Sequence, residues 1–241
     1  MADTTIDRQD LLDEINDFSD KLGSASRWKT SGDAFGHLTQ RLDGKVLSES
    51  IAKSDYFYEF YCYLRILVDL QKNYEVVFVK GDKMFPRGPA SKNGKPFFKI
   101  LEDGKEIGHV CSGTKILTFL GTERAPDISF QFPDADPVNP KYDQVYFVMD
   151  AKYHASNKTK GLTRSEFDSF STVIEHLQLR KKIKFHLKFN QLKEFSDNLL
   201  ITNSNSYPLF KTELEHSNIK VVEYFDLALK HSFYSGKLAK S

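Results

Sequence analysis

This chain has few cysteines, no long apolar run and almost no net charge. Each of these features excludes a class of protein. Only two of its 241 residues are cysteines, Cys62 and Cys111, and neither has a second ligand at metal-binding spacing. We therefore expect two reduced core thiols rather than a disulfide or zinc framework. The formal net charge is only +1. A generally basic nucleic-acid coat is thus excluded, and any nucleic-acid contact must come from local clusters.

Membrane and export signals are missing as well. No apolar run approaches the ~18 residues that a membrane span requires, so we expect no membrane contact. The first residues, MADTTIDRQD, are polar and acidic, unlike a secretory signal, and indicate a cytoplasmic protein. The chain has no glycine-rich nucleotide loop and no serine nucleophile elbow, so neither motif suggests its chemistry.

The chain is long enough for one sizeable domain with a helical extension, since 40% of its residues are hydrophobic. We assign residues 1–50 to an N-terminal helical region, with an amphipathic helix over 6–22, which either covers the core or holds a partner. The main domain spans 51–241. Its pattern predicts helices over 55–70, from 163 onward, 207–216 and 226–233, and strands over 74–80, 97–102, 106–111, 115–120, 125–132, 144–153, 198–202 and 219–224. This order is typical of an α/β fold with a mixed central sheet flanked by helices.

The stretch QVYFVMDAKYH, residues 144–154, carries the most chemical information. Its unbroken apolar run from Val145 to Met149 predicts a strand buried on both faces. Asp150 and Lys152 follow at the end of that strand and share one face, because side chains two apart in a strand point the same way. Such a strand either stops at solvent, where the two residues form a surface ion pair, or carries a site.

A second carboxylate is expected to join Asp150. In APDISFQF, residues 125–132, apolar and polar residues alternate after Asp127, which predicts a half-buried strand. A proline-rich loop follows, so the two strands should form an antiparallel hairpin that brings Asp127 to Asp150. Asp134 belongs to a second Pro-Asp pair nearer to Asp150, but it lies within that loop, and we prefer Asp127.

A third carboxylate, Glu59, lies in the helix predicted over 55–70, which is apolar almost all round and should be buried. Arg65 and Asp69 can pair on its polar edge at i, i+4, whereas Glu59 has no such local cation. A buried Glu of this kind indicates a metal, a distant lysine or a raised pKa. The alternative is a Glu that reaches water or bonds a tyrosine hydroxyl.

These side chains match the needs of phosphodiester hydrolysis, which requires a cation at the phosphate, an activated water and stabilisation of the leaving oxygen. Two carboxylates on adjacent strand ends can hold Mg²⁺, which binds few protein oxygens and keeps several waters. Lys152 can orient or deprotonate the water or stabilise charge on the phosphate. Glu59 can complete the metal shell or act as an accessory base.

At these residues the chain resembles the PD-(D/E)xK nuclease superfamily, locally most like McrC-type nuclease domains. The resemblance covers roughly residues 54–182 and is carried by the motifs at 126–127 and 150–152 together with Glu59. It implies a restriction-endonuclease-like core and a DNA endonuclease of restriction or defence that uses Mg²⁺, for which Mn²⁺ can substitute.

The same resemblance implies a role for each matching residue. Asp127, Asp150 and the main-chain carbonyl of Ala151 would be metal ligands, Lys152 the catalytic lysine, and Glu59 the acidic residue of the helix and a further ligand. Open alternatives are a catalytically inactive nuclease fold that binds nucleic acid or assembles a complex, and a surface coincidence with Asp127 far from Asp150. A homodimer and a motor or specificity partner also stay open.

Basic and histidine side chains outside this set are candidates for contacts with a nucleic acid. The loop over 81–95 carries four cations among glycines and prolines, and is the best candidate for contacts to a phosphate backbone. His109 and His154 are expected to flank the site, where His154 could contact a phosphate. The four cations of the loop are Lys83, Arg87, Lys92 and Lys95.

Overall fold

The computed structural model describes residues 5–6, 46–47, 54–79, 90–154, 161–179, 187–190, 192, 195–204, 219–223, 225 and 237–238. The helices expected over 6–22, 207–216 and 226–233 lie outside these ranges. In the N-terminal region, predicted to be helical, the described residues are two short strands, β1 (Thr5–Ile6) and β2 (Val46–Leu47), which pair in parallel. Neither of the two described α-helices has the length and apolarity to cross a membrane.

The described part of the main domain alternates strands and helices largely as its sequence predicts. The helices are α1 (Ser54–Leu70) and α2 (Arg164–His176). The strands are β3 (Glu75–Val79), β4 (Phe97–Glu102), β5 (Lys105–Ser112), β6 (Ile116–Leu117), β7 (Glu123–Arg124), β8 (Ile128–Gln131), β9 (Val145–Lys152), β10 (Leu199–Thr202), β11 (Lys220–Glu223) and β12 (Lys237–Leu238). Short 3₁₀ turns cover 92–94 and 142–144.

The central sheet is mixed, as expected, and contains eight strands in the order β12-β11-β10-β9-β8-β5-β4-β3. From β9 through β8, β5 and β4 to β3, each successive pair of strands is antiparallel. Strand β10 runs parallel to both β9 and β11, and β12 is antiparallel to β11. The β4–β5 hairpin turns at Asp103 and Gly104, both with positive φ, as the Asp-Gly signal predicts. Strand β9 thus lies inside the sheet, with one antiparallel and one parallel neighbour.

Two apolar cores, one on each face of the sheet, fix which way the side chains of β9 point. Met149 and Ala151 belong to the core beneath α1, and Val148 belongs to the core beneath α2. Because side chains alternate along a strand, Asp150 and Lys152 lie on the α2 face. Tyr63 ties α1 to the sheet through its hydroxyl, which donates to the Val110 carbonyl at 2.8 Å.

Three expectations about burial and strand length were wrong. Strand β8 is buried on both faces: Ser129 and Gln131 are fully buried, and Nε2 of Gln131 donates to Oγ of Ser129 at 2.9 Å. The strand expected over 115–120 shrinks to β6, which pairs with β7 outside the main sheet. Arg65 and Asp69 are buried rather than at a polar edge, and Asp69 accepts the distant amides of 190 and 192. Both cysteines are free and buried, as expected.

Candidate active site

Asp127 and Asp150 meet where strands β8 and β9 end. Ile128 pairs with Met149, so the next position outward in this antiparallel ladder places Asp127 opposite Asp150. Both carboxylates lie beside Nζ of Lys152. Oδ2 of Asp127 also accepts the main-chain amide of Ala151 at 2.7 Å. The predicted antiparallel hairpin is therefore confirmed. Asp127 and Asp150 are not far apart, whereas the alternative of a coincidental surface ion pair required a wide separation.

Lys152 closes this group from the same face of β9. Its Nζ lies 2.6 Å from Oδ2 of Asp150 and 3.9 Å from Oδ2 of Asp127. The side chains are 28%, 17% and 15% exposed for Lys152, Asp150 and Asp127, so the group is sheltered but reachable from solvent. The ammonium group and the two carboxylates thus share one partly buried site at the ends of β8 and β9.

Burial and the charges of neighbouring side chains shift the pKa values of Asp127 and Lys152. Burial raises the pKa of Asp127 well above its usual value, and the negative charges of Asp150 and Glu59 raise it further, while Lys152 opposes them. For Lys152, burial lowers the pKa, but the carboxylates of Asp150 and Asp127 outweigh it and raise the pKa above its ordinary value. Lys152 is therefore an ammonium ion at neutral pH in this state.

Glu59 influences the site through its charge. It is half-buried on α1, and its carboxylate raises the pKa of both Asp127 and Lys152. Within the described ranges, no three or more His, Cys, Asp or Glu side chains are gathered as a group that could hold a metal ion. Asp127 and Asp150 lie at paired strand ends, and Glu59 is not brought into a three-carboxylate cluster with them.

The main chain offers one further oxygen. In a strand, the N–H and C=O of one residue point towards the same neighbouring strand. Because the amide of Ala151 reaches Asp127, its carbonyl is directed towards that side as well. The site therefore combines two carboxylates with a carbonyl that lies beyond the end of β8.

A pocket extends from Asp150 and Lys152 beneath the first half of α2 and has a volume of about 340 Å³. Helix α2 starts with the predicted capping box, in which Thr163 and Glu166 satisfy each other's main-chain amides. Sequence reasoning recognised the cap but missed that this helix faces the site. The available signal was the i, i+4 spacing of Ser165 and Ser169, which puts both on one side of the helix. The wall from α2 consists of Ser165, Glu166, Ser169, Phe170 and Val173.

The two histidines have different surroundings. The main chain of His154 is held by Asn203, whose side chain accepts its amide at 2.8 Å and donates to its carbonyl at 3.2 Å. Its ring Nε2 is 3.9 Å from Oε1 of Glu166, next to the pocket. His109 does not flank the site: it lies opposite Gln131, four positions along β8 from Asp127.

His109 instead belongs to a buried polar network, which also corrects the expectation for the basic loop. Lys92 donates from Nζ to Nδ1 of His109 at 2.6 Å, and Nε2 of His109 bonds Oε1 of Glu106 at 2.6 Å. Burial, and then the charge of Lys92, lowers the pKa of His109 to about 4, so its ring is neutral. Lys92 and Lys95 are 1% and 2% exposed and cannot be solvated phosphate contacts. Residues 83 and 87 lie outside the described ranges.

Comparison with known proteins identifies no relative. No family model, no curated protein and no solved structure matches this chain. The site is therefore interpreted from its own geometry and chemistry.

Burial of Asp127 and the negative charge of nearby Asp150, which together raise the pKa of Asp127, predict that the site lowers stability when no cation is bound. Asn at position 127 keeps the bond from the Ala151 amide and can donate to Asp150, but carries no charge. We expect Asp127→Asn to raise the free energy of unfolding by about 1 kcal/mol in EDTA, a shift of about 2–4 °C in Tm, by calorimetry. The control is Asp134→Asn, the exposed member of the second Pro-Asp pair, which should leave Tm unchanged. A lower Tm for Asp127→Asn would contradict this picture.

Proposed function

We propose that this protein is a Mg²⁺-dependent endonuclease that hydrolyses phosphodiester bonds, with DNA as substrate and a role in restriction or defence. One observation carries the proposal: Asp127 and Asp150 lie at adjacent strand ends, and Nζ of Lys152 is 2.6 Å from Asp150 and 3.9 Å from Asp127. The mixed sheet between two helical layers is compatible with the restriction-endonuclease-like core that the sequence resemblance implies.

The donor set suits Mg²⁺ better than a softer metal. Mg²⁺ prefers oxygen ligands, takes one or two carboxylates and keeps several waters for substrate oxygens to replace. Asp127 and Asp150 supply the carboxylates, and the carbonyl of Ala151 supplies a third oxygen on the same side. A bound cation would also offset the charge repulsion that raises the pKa of Asp127. When bound, the cation would neutralise phosphate charge and make water more acidic.

The protein's own residues would do the remaining work. Lys152 is an ammonium ion held by Asp150, so it is suited to bind a phosphate oxygen, to hold water in line, or to stabilise the leaving oxygen. Asp150 positions Lys152, and Asn203 braces the main chain two residues further on through two hydrogen bonds. Glu59 adds negative charge that favours a cation at the site.

Cleavage of supercoiled plasmid by the wild-type protein tests the proposal. We expect nicked or linear product with Mg²⁺ or Mn²⁺ and none with EDTA. If no product forms, calorimetric titration with Mg²⁺, comparing wild type with Asp127→Ala, is the second test. Binding of metal and DNA without cleavage would favour the inactive nuclease-fold alternative. Absence of both cleavage and metal binding would refute the proposal that this protein is a nuclease.

A further inference from the structure

The pocket beneath α2 is larger than a phosphate group and metal ion need. Its volume of about 340 Å³ lies near the lower end of the range of about 300–1,000 Å³ for small-ligand pockets. One end is formed by Asp150 and Lys152, and the other by the first half of α2. The far end therefore has room for a group that is joined to the phosphate reacting at the near end.

The far end is unsuited to a second phosphate. Glu166 is the only charged residue that α2 contributes to the lining, and it is negative. Its Oε2 is occupied by the Thr163 amide at 2.7 Å, while Oε1 lies on the side of His154. Lys152 is the single cation of the lining and already contacts Asp150 at the opposite end. An uncharged group fits better here than a phosphate.

The remaining lining suits a nucleoside. Val173 is a partly buried apolar residue of the lining, and Phe170 forms its floor as a nearly fully buried core residue. Ser165 and Ser169 bring two exposed hydroxyls to the same side. Among the described residues, neither serine hydroxyl has a hydrogen-bond partner. Hydroxyls and carboxylates can bond the edges of bases and sugars, while apolar side chains contact their faces.

We propose that this pocket holds the nucleoside attached to the scissile phosphate, and that the nucleoside enters it unpaired and out of the base stack. A base inside a duplex cannot reach a pocket of this kind without being extruded from the helix. Extrusion breaks base pairing and costs free energy, and a single-stranded substrate avoids this cost. The inference rests on the proposed nuclease function and adds its substrate class, an unpaired nucleotide segment.

Binding of labelled oligonucleotides tests this proposal independently of turnover. The probes are oligothymidylate, an abasic deoxyribose-phosphate oligomer of equal length, and a duplex, with Ca²⁺ present and fluorescence polarisation as the readout. We expect the wild-type protein to bind oligothymidylate about 10-fold more tightly than the abasic oligomer. Ser169→Phe, which fills the pocket, should bring the ratio close to one. Thr172→Phe, at an exposed position of α2 outside the pocket, should keep the wild-type ratio of the two affinities.

The possible outcomes separate this inference from the proposed function. Equal binding of the two single strands by the wild type, or a ratio unchanged in Ser169→Phe, overturns the nucleoside pocket even if plasmid is cleaved. A base preference lost in Ser169→Phe, with neither cleavage nor metal binding by the wild type, supports the pocket and refutes the nuclease. Ser165→Phe is the second variant if thermal melting shows that Ser169→Phe is unfolded.

Discussion

Replacing Lys152 by alanine is expected to reduce Mg²⁺-dependent plasmid cleavage by about 100- to 1,000-fold, because removal of one charge-stabilising donor at a reacting phosphate has effects of this size. The ammonium group lies 2.6 Å from Asp150 and is the only cation lining the pocket. Lys152→Arg should not restore the rate, because a planar guanidinium does not reproduce a compact ammonium. The measurement is the initial rate of nicking at saturating metal.

Two further variants show whether the loss is local. Asp150→Asn should reduce the rate to a similar extent and also weaken Mg²⁺ binding, because it removes one of the two carboxylates beside Lys152. Lys105→Ala serves as the control: it changes an exposed lysine at the start of β5, the end of that strand far from the site, and should keep the wild-type rate. Cleavage that survives both Lys152→Ala and Asp150→Asn would place the active centre elsewhere.

The buried network around His109 predicts the largest effect on stability. The ammonium of Lys92 is bound by Nδ1 of His109 at 2.6 Å and by the Ala135 carbonyl at 3.5 Å, and it lies 5.1 Å from the ring centroid of Phe97. His109→Leu would leave this buried cation without its closest acceptor. We expect the free energy of unfolding to fall by about 2–3 kcal/mol in urea denaturation with an unchanged m-value.

A double-mutant cycle tests the physical reason. Removing the cation together with its acceptor should be less harmful than the sum of the single changes, so Lys92→Met combined with His109→Leu should show a coupling of about 1–2 kcal/mol. Lys115→Met is the control, because its ion pair with Glu123 is exposed and should be worth less than about 1 kcal/mol. Additive effects at 92 and 109 would mean that the contact contributes no coupling.

Much of the scaffold of the site could be predicted because its signals are local. The apolar run before Asp150 predicts β9, the alternation after Asp127 predicts β8, and the proline-rich connection leaves an antiparallel hairpin as the simplest pairing. Asp-Gly at 103–104 and the Thr163–Glu166 capping box mark a turn and a helix start within a few residues. The structure contains each of these elements, because short-range stereochemistry and residue pattern suffice to place them, although β8 is buried on both faces rather than on one.

Other features depend on contacts between residues that are distant in the chain, and no local sequence pattern predicts them. Lys92 looks like a solvated loop cation, yet it is buried because His109 and the Ala135 carbonyl accept from it. Asp69 is predicted at the polar edge of a helix, yet it is buried and accepts the amide of Asn190 across the fold.

The residues of the candidate site divide in the same way. Local sequence places Asp150 and Lys152 on one face of a strand and gives that strand a partner that carries Asp127. Which face they share depends on how two apolar cores divide between α1 and α2, and this division arises from packing of the whole chain. The same packing brings Ser165 and Ser169 of α2 opposite Lys152 and so forms the pocket. Burial and contact between distant elements are properties of the folded chain, so they could be established only in three dimensions.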